Sequence, residues 1–220
     1  MLDNPVWSAL TTDHAHLAVV AGEARRYPFS VARFAALGHA GAWGDLEELV
    51  AVGEVVALVT EWPVTVPGGW TVVRERVIEQ MVCSAAPPAG AADVLELGDA
   101  DAPEMLALAR ATDPGPFFEA THTLGRFVGV REAGRLLAMA GERMQLAGHV
   151  EVSAVCTDPG ARGRGYARTL METLMRREFA EGRVPFLHVK NENGAKLLYE
   201  RLGFEVRAPM HLTVVTRGRP

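Results

Sequence analysis

The stretch from Val150 to Ala180 constrains this chain more than any other. Val150–Thr157 is apolar and β-branched and reads as a strand, ended by Asp158-Pro159-Gly160. Arg162-Gly163-Arg164-Gly165-Tyr166-Ala167 follows, and from Ala167 the residues Leu170, Met171, Leu174 and Met175 recur at helical spacing to about Ala180. Glycines at a helix start let the backbone approach a ligand closely. The free N–H groups and the positive dipole end of the helix then attract anionic oxygens. Arg162, Arg164 and Arg168 add local positive charge. A phosphate-bearing ligand is the natural inference, although the same residues also suit a helix start with solvated arginines.

That cluster stands out because the chain as a whole is acidic, with a formal charge of −5. A negative balance argues against non-specific binding to nucleic acid or to an anionic membrane, both of which need a basic surface. The 49% hydrophobic and 22% charged residues suit a globular protein that buries a core. Cys83 and Cys156 are the only cysteines, and neither lies in a metal-ligand spacing, so no metal site and no disulfide framework is expected. The N-terminal residues carry no basic start with an apolar signal core, and no apolar run approaches the roughly 20 residues of a membrane span. A cytoplasmic protein is the expectation.

The clearest break in composition is Ser84-Ala85-Ala86-Pro87-Pro88-Ala89-Gly90-Ala91-Ala92, which reads as a linker. Residues 1–90 are therefore expected as a small α+β unit and residues 91–220 as a second domain. In the first, Asp45–Val50 reads as a helical turn, and Val55–Thr60, Trp70–Val73 and Val77–Cys83 read as strands, while 14–40 fits helix or irregular structure equally. In the second, strands are expected at Asp93–Leu97, Phe127–Arg131, Arg135–Met144, Val150–Thr157, Phe186–Val189, Phe204–Val206 and Met210–Val215. Helices are expected at Asp101–Ala111, with Asp101 as cap, at about Ala167–Ala180, and at Ala195–Leu202 before Gly203. The fold class is mixed α/β.

The phosphate ligand is narrowed by what the loop lacks. There is no GxxxxGK[ST], and a GxGxxG begun at Gly163 and Gly165 finds Arg168 where its third glycine belongs. Arg162-x-x-Gly165-x-Ala167 after a strand resembles instead the [QR]-x-x-G-x-[GA] pyrophosphate loop of the GNAT N-acetyltransferase superfamily. Leu198-Tyr199-Glu200-Arg201-Leu202-Gly203-Phe204 resembles that superfamily's LYxxxGF motif. The resemblance covers a little over half of the chain, from about residue 93. It implies the superfamily's mixed-sheet fold, acetyl-CoA as cosubstrate with no metal, and a small-molecule or peptide amine as acceptor; a homodimer is compatible with it. It also implies that Val155 and Thr157 offer backbone groups to the pantetheine and thioester. Arg162 and the amides of Gly163, Arg164, Gly165, Tyr166 and Ala167 would hold the pyrophosphate. The superfamily often has an asparagine seven residues before its motif tyrosine; that position is Glu192 here, so Asn193 is the candidate CoA contact.

Acetyl transfer needs a neutral amine, and deprotonating a lysine-like amine at neutral pH costs about 4–5 kcal/mol. Glu151 is the leading base, because strand alternation would place it on one face with Ser153, Val155 and Thr157. A salt-bridged carboxylate is the plain alternative. Glu142, His149, His122 and His188 are weaker substitutes. Tyr199 is the leading acid, since a phenol stays protonated at neutral pH and can donate to the departing thiolate. It would otherwise simply pack on the apolar helix face. Cys156 reads as a core thiol. A CoA-binding regulatory or scaffold module without turnover, and a transferase for a longer acyl group, remain as rival readings.

Overall fold

A computed structural model describes residues 1–88, 94–190 and 194–218. Eight strands form one mixed sheet, in the order β4-β11-β5-β10-β9-β8-β7-β6. Their ranges are β4 Val55–Thr60, β5 Trp70–Cys83, β6 Leu95–Leu97, β7 Phe127–Glu132, β8 Arg135–Leu146, β9 His149–Thr157, β10 Val184–Lys190 and β11 Phe204–Arg217. Every neighbouring pair is antiparallel except β9 and β10. A parallel pair needs a crossover, and the helix α4, Tyr166–Ala180, supplies it.

One face of the sheet packs on α4. Leu170, Met171, Leu174 and Met175 meet Met81, Val128, Ala138, Ala140, Val152 and Leu187. These four helix residues fall within two turns on one stripe, as an amphipathic helix requires. The other face is covered twice. The helix α3, Ala102–Thr112, sets Met105 and Leu108 on Phe127, Met139, Ala154 and Cys156. The helix α1, Pro5–Thr11, sets Val6, Ala9 and Leu10 against Ile78, Met144, Leu146 and Phe186. Residues 19–37 form a three-stranded sheet of β1, β2 and β3 (Val19–Ala21, Ala24–Arg26 and Ala35–Leu37), and α2, Trp43–Leu49, packs beside it.

The sheet runs across the boundary expected at 84–92, part of which lies outside the described residues. β5 sits between β10 and β11, so residues 70–83 are interior to the main sheet. Two strands expected separately are one: Arg74-Glu75-Arg76 continues β5 opposite β11 with its side chains exposed. Likewise Pro209 does not divide β11, because a register shift between Val206 and Ala208 absorbs the irregularity just before it. Asp101 stands at the start of α3 but does not cap it. Its carboxylate accepts from the Gly98 amide at 3.1 Å and from Arg131 at 2.8 Å. The short helix α5, Lys196–Arg201, leads into β11. Among the described residues no helix is long and apolar enough to cross a membrane.

One packing feature of α4 carries a stability consequence. Glu178 is fully buried, and neither carboxylate oxygen finds a hydrogen-bond partner among the described residues. Burial first, then the Glu142 charge, pushes its carboxyl up to about 8. A carboxyl that holds its proton more tightly when folded loses the protein stability as pH rises from its ordinary 4.5 toward about 8. Glu178→Met should raise stability by about 1–3 kcal/mol at pH 8. The gain should shrink at pH 5, where the native carboxyl is protonated. Urea unfolding at the two pH values measures this, and an equal gap at both would contradict it.

Candidate active site

The parallel pairing of β9 with β10 is brief. Val184, Pro185 and Phe186 pair with His149, Val150 and Glu151, and the ladder stops there. From Phe186 to Lys190, β10 pairs with β5 on its other side. β9 continues to Thr157 paired only with β8. Two strand edges therefore part, and their facing N–H and C=O groups are left for a ligand.

A bulge in β9 widens that change. Ser153 to Cys156 on β9 spans Gly141 to Met139 on β8, three steps against two, and Ala154 takes φ +53°. The extra residue reverses the alternation. Val152 and Val155 pack toward α4, while Ala154 and Cys156 pack toward α3. The expectation that Glu151 shares a face with Val155 and Thr157 therefore fails, because a single inserted residue exchanges the faces beyond it.

The turn into α4 is built as its glycines suggest. Gly163 and Gly165 take φ +78° and +81°, and no atom lies within 4 Å of where a Cβ would stand on either. Both are needed for backbone direction, and their open side leaves room for a ligand. The first hydrogen bond from the helix is Thr169 N–H to Gly165 C=O at 3.1 Å, so the earlier amides remain free at the helix start. Of the three arginines, Arg164 bonds Glu132 at 2.9 Å and Arg168 bonds Glu172 at 2.7 Å. Arg162 is exposed and makes no ion pair among the described residues.

A cavity of about 810 Å³ lies where the strands part. Val155, Thr157, Arg162, Gly163, Arg164, Gly165, Tyr166 and Ala167 all line it, as does Tyr199. The structure thus brings together every expected cofactor-side residue except Asn193, which lies outside the described residues. Tyr199 stacks edge-on near Phe204, with ring centroids 6.2 Å apart. Its hydroxyl makes no hydrogen bond among the described residues, and burial pushes it up to about 12. It is a protonated donor facing the cavity. Cys156 also reaches the wall, and burial raises its thiol to about 11, so it stays a thiol.

Glu151 is placed differently. It is 0% exposed and does not line the cavity. Arg143 grips it with Nε to Oε2 at 2.8 Å and Nη2 to Oε1 at 2.6 Å. Gln80 is oriented by Arg207, whose Nη1 donates to Gln80 Oε1 at 2.9 Å. Gln80 Nε2 therefore donates to His188 Nε2 at 3.1 Å, which leaves the imidazole proton on Nδ1 to donate to Glu151 Oε1 at 2.7 Å. Burial works against the Glu151 charge, but Arg143 and the hydrogen bonds from Arg143 and His188 overcome it and hold the carboxyl at about 2. Arg143 and His188, not Glu151, present this network to the cavity. Glu142, His149 and His122 do not line it. Arg143 was not singled out from sequence; its one signal is a charged Glu142-Arg143 pair inside a largely apolar strand.

Comparison with known proteins follows the same geometry. Residues 93–204 match the model of the Acetyltransferase (GNAT) family, just over half of the chain. N-alpha-acetyltransferase RimI of Mycobacterium tuberculosis is 36% identical over 85 residues, covering 36% of this chain and 51% of that protein. The chain thus spans about half the length of that curated relative. A crystal structure from Novosphingobium aromaticivorans, assigned to the GNAT family, superposes with a TM-score of 0.93 at 40% identity over 99% of both chains. A GCN5-related N-acetyltransferase from Kribbella flavida gives 0.62 at 20% identity, over 94% of this chain and 95% of that one, a likeness of fold.

The Glu151 network predicts an acid limb of stability. A carboxyl held low in the folded state stabilises above its ordinary pKa of 4.5, and that contribution is lost as pH falls toward about 2. Glu151→Gln should cost about 3–5 kcal/mol at pH 7, because Arg143 is left buried without a countercharge. It should also flatten stability between pH 4.5 and 2. Chemical unfolding across that range checks both, and an unchanged acid limb would show that Glu151 is not paired as described.

Proposed function

This chain belongs to the GNAT acetyltransferase family, and from that premise we propose that it moves an acetyl group from acetyl-CoA directly to a primary amine. The carrying observation is the parting of β9 from β10 beside the glycine turn, with Tyr199 on the wall of the same cavity. That arrangement suits a long ligand with a diphosphate at one end and a reactive acyl group at the other. The relative RimI, described as an N-alpha-acetyltransferase, supports nitrogen as the acceptor atom.

In this reading Arg162 and the amides from Gly163 to Ala167 hold the diphosphate at the start of α4. The freed edge of β9 aligns the pantetheine through Val155 and Thr157, and a β9 amide near Val155 donates to the acyl oxygen as negative charge develops there. Asn193 is a further contact on the cofactor side. Tyr199 donates its proton, or a hydrogen bond, to the leaving sulfur. Glu151 holds Arg143 and His188 in place on the wall, and the amine gives up its proton to water. Residues 1–83 act with the sheet as one unit, because β5 is interior to it and α1 covers its far face.

Tyr199→Phe keeps the packing against Phe204 and removes only the hydroxyl. Turnover should fall by about 10²–10⁴-fold with acetyl-CoA affinity retained. In the parent, a Tyr199 held near 12 should leave no alkaline loss of rate below about pH 10. Parent-like turnover by the Phe variant, with chemistry rate-limiting, would remove Tyr199 from the mechanism.

Ala167→Glu tests the diphosphate site without disturbing a positive φ. A carboxylate in the first turn of α4 suits the helix dipole, so folding should survive. The same charge repels phosphate, so calorimetry should show acetyl-CoA affinity lowered by at least about tenfold. Undiminished affinity in the folded variant would rule out this end of the cavity as the anion site.

A further inference from the structure

Away from the α4 turn, part of the cavity wall comes from segments of the chain that lie outside the family match. Phe34, Val59 and Ile78 precede residue 93, and Leu212 follows residue 204. All are apolar. β4, β5 and β11 contribute six residues to this wall, and Arg74 is the one that is charged. The register of β5 against β11 is unbroken from Arg74 opposite Val214 to Ile78 opposite Met210, so Arg74 and Ile78 share a sheet face, about 13 Å apart along the strand.

The Arg74 side chain makes no hydrogen bond or ion pair among the described residues. The other arginine at this end, Arg143, is already balanced by Glu151. Asp113 is the only acidic side chain on the described wall, and it ends α3 next to Thr112. Leu108 and Ala109 in the last turns of α3 pack with Ala154 and Cys156, which places Asp113 toward the β9 end that leads to the cofactor turn. The acceptor end therefore combines an apolar surface with one uncompensated guanidinium.

We infer that the acceptor is an amine bearing an anionic group, a carboxylate foremost, on an apolar body, with Arg74 binding the anion. This rests on the acetyl-transfer reading and specifies its substrate class. A guanidinium presents forked donors that match a carboxylate. A polyamine or aminoglycoside would instead bring further positive charge against Arg74, with no carboxylate at this end to receive it. The amino acids with large apolar side chains combine the amine, the anion and the body.

The test measures CoA release from acetyl-CoA with apolar and aromatic amino acids, each beside its decarboxylated amine (phenylalanine with phenethylamine, leucine with isoamylamine), and with spermidine. The amino acid should exceed its amine in kcat/KM by about 10–100-fold. Arg74→Leu should collapse that ratio toward one, chiefly through KM, and Arg74→Lys should keep part of it. Equal use of both members of each pair, preference for spermidine, or a ratio that survives Arg74→Leu would overturn the inference alone. Absence of turnover across the whole set would overturn the transferase reading, and this inference with it.

Discussion

The structure turns on the point where β10 leaves β9. A β-sheet normally satisfies backbone donors and acceptors on both sides of an interior strand. Here β9 gives up one side beyond Glu151, and β10 transfers its pairing to β5 from Phe186 onward. Neither strand is left unsupported, because β8 holds β9 to its end. The result is a cleft inside a continuous sheet, lined by backbone groups that need a partner. α4 can start at the head of that cleft only because β9 ends there, and the crossover then returns the chain to β10.

Opening a sheet in this way brings charge into its interior, and beside the opening that charge is paired. Glu151 and Arg143 sit deep beside the last ladder position and meet through two hydrogen bonds. A buried pair of this kind adds little net stability, but either partner alone would be costly. Its extensions matter more than its energy. His188 ties Glu151 to Gln80, whose amide also donates to the Leu2 carbonyl at 3.0 Å, and Arg207 joins Gln80 to Asp3. The first residues of the chain are thereby bonded to the strand that borders the cleft, and α1 closes the hydrophobic layer beneath it. Glu178, on α4 at the other face of the sheet, is the counterexample, a buried carboxyl without a partner among the described residues, and its raised pKa reflects that difference.

The cleft divides electrostatically along its length. At the α4 end, free amides and the exposed Arg162 face solvent and suit a multiply charged ligand. In the middle, Tyr199 and Cys156 both line the cavity and are kept protonated by burial. At the far end the wall is apolar with Arg74 at its edge. The first two zones lie within the family-matched residues and the third largely outside them.

What the sequence determined by itself was local. Glycines at 163 and 165 permit backbone conformations that other residues resist, so the turn and the helix after it were legible from residue types alone, as were the β-branched run of β4 and the helix carrying Tyr199. What only the tertiary structure decided was parity and partnership. One inserted residue at Ala154 moved Glu151 to the opposite face from Val155, and no residue type announces a bulge that depends on the neighbouring strand. The Pro-Pro stretch after Cys83 read as a boundary, yet the strand before it became interior to the main sheet, because strand pairing joins residues far apart in sequence. Arg143 and Arg74 look alike in a linear chain. Their surroundings separate them: one is neutralised by a buried carboxylate, and the other is left with its charge uncompensated at the cavity wall.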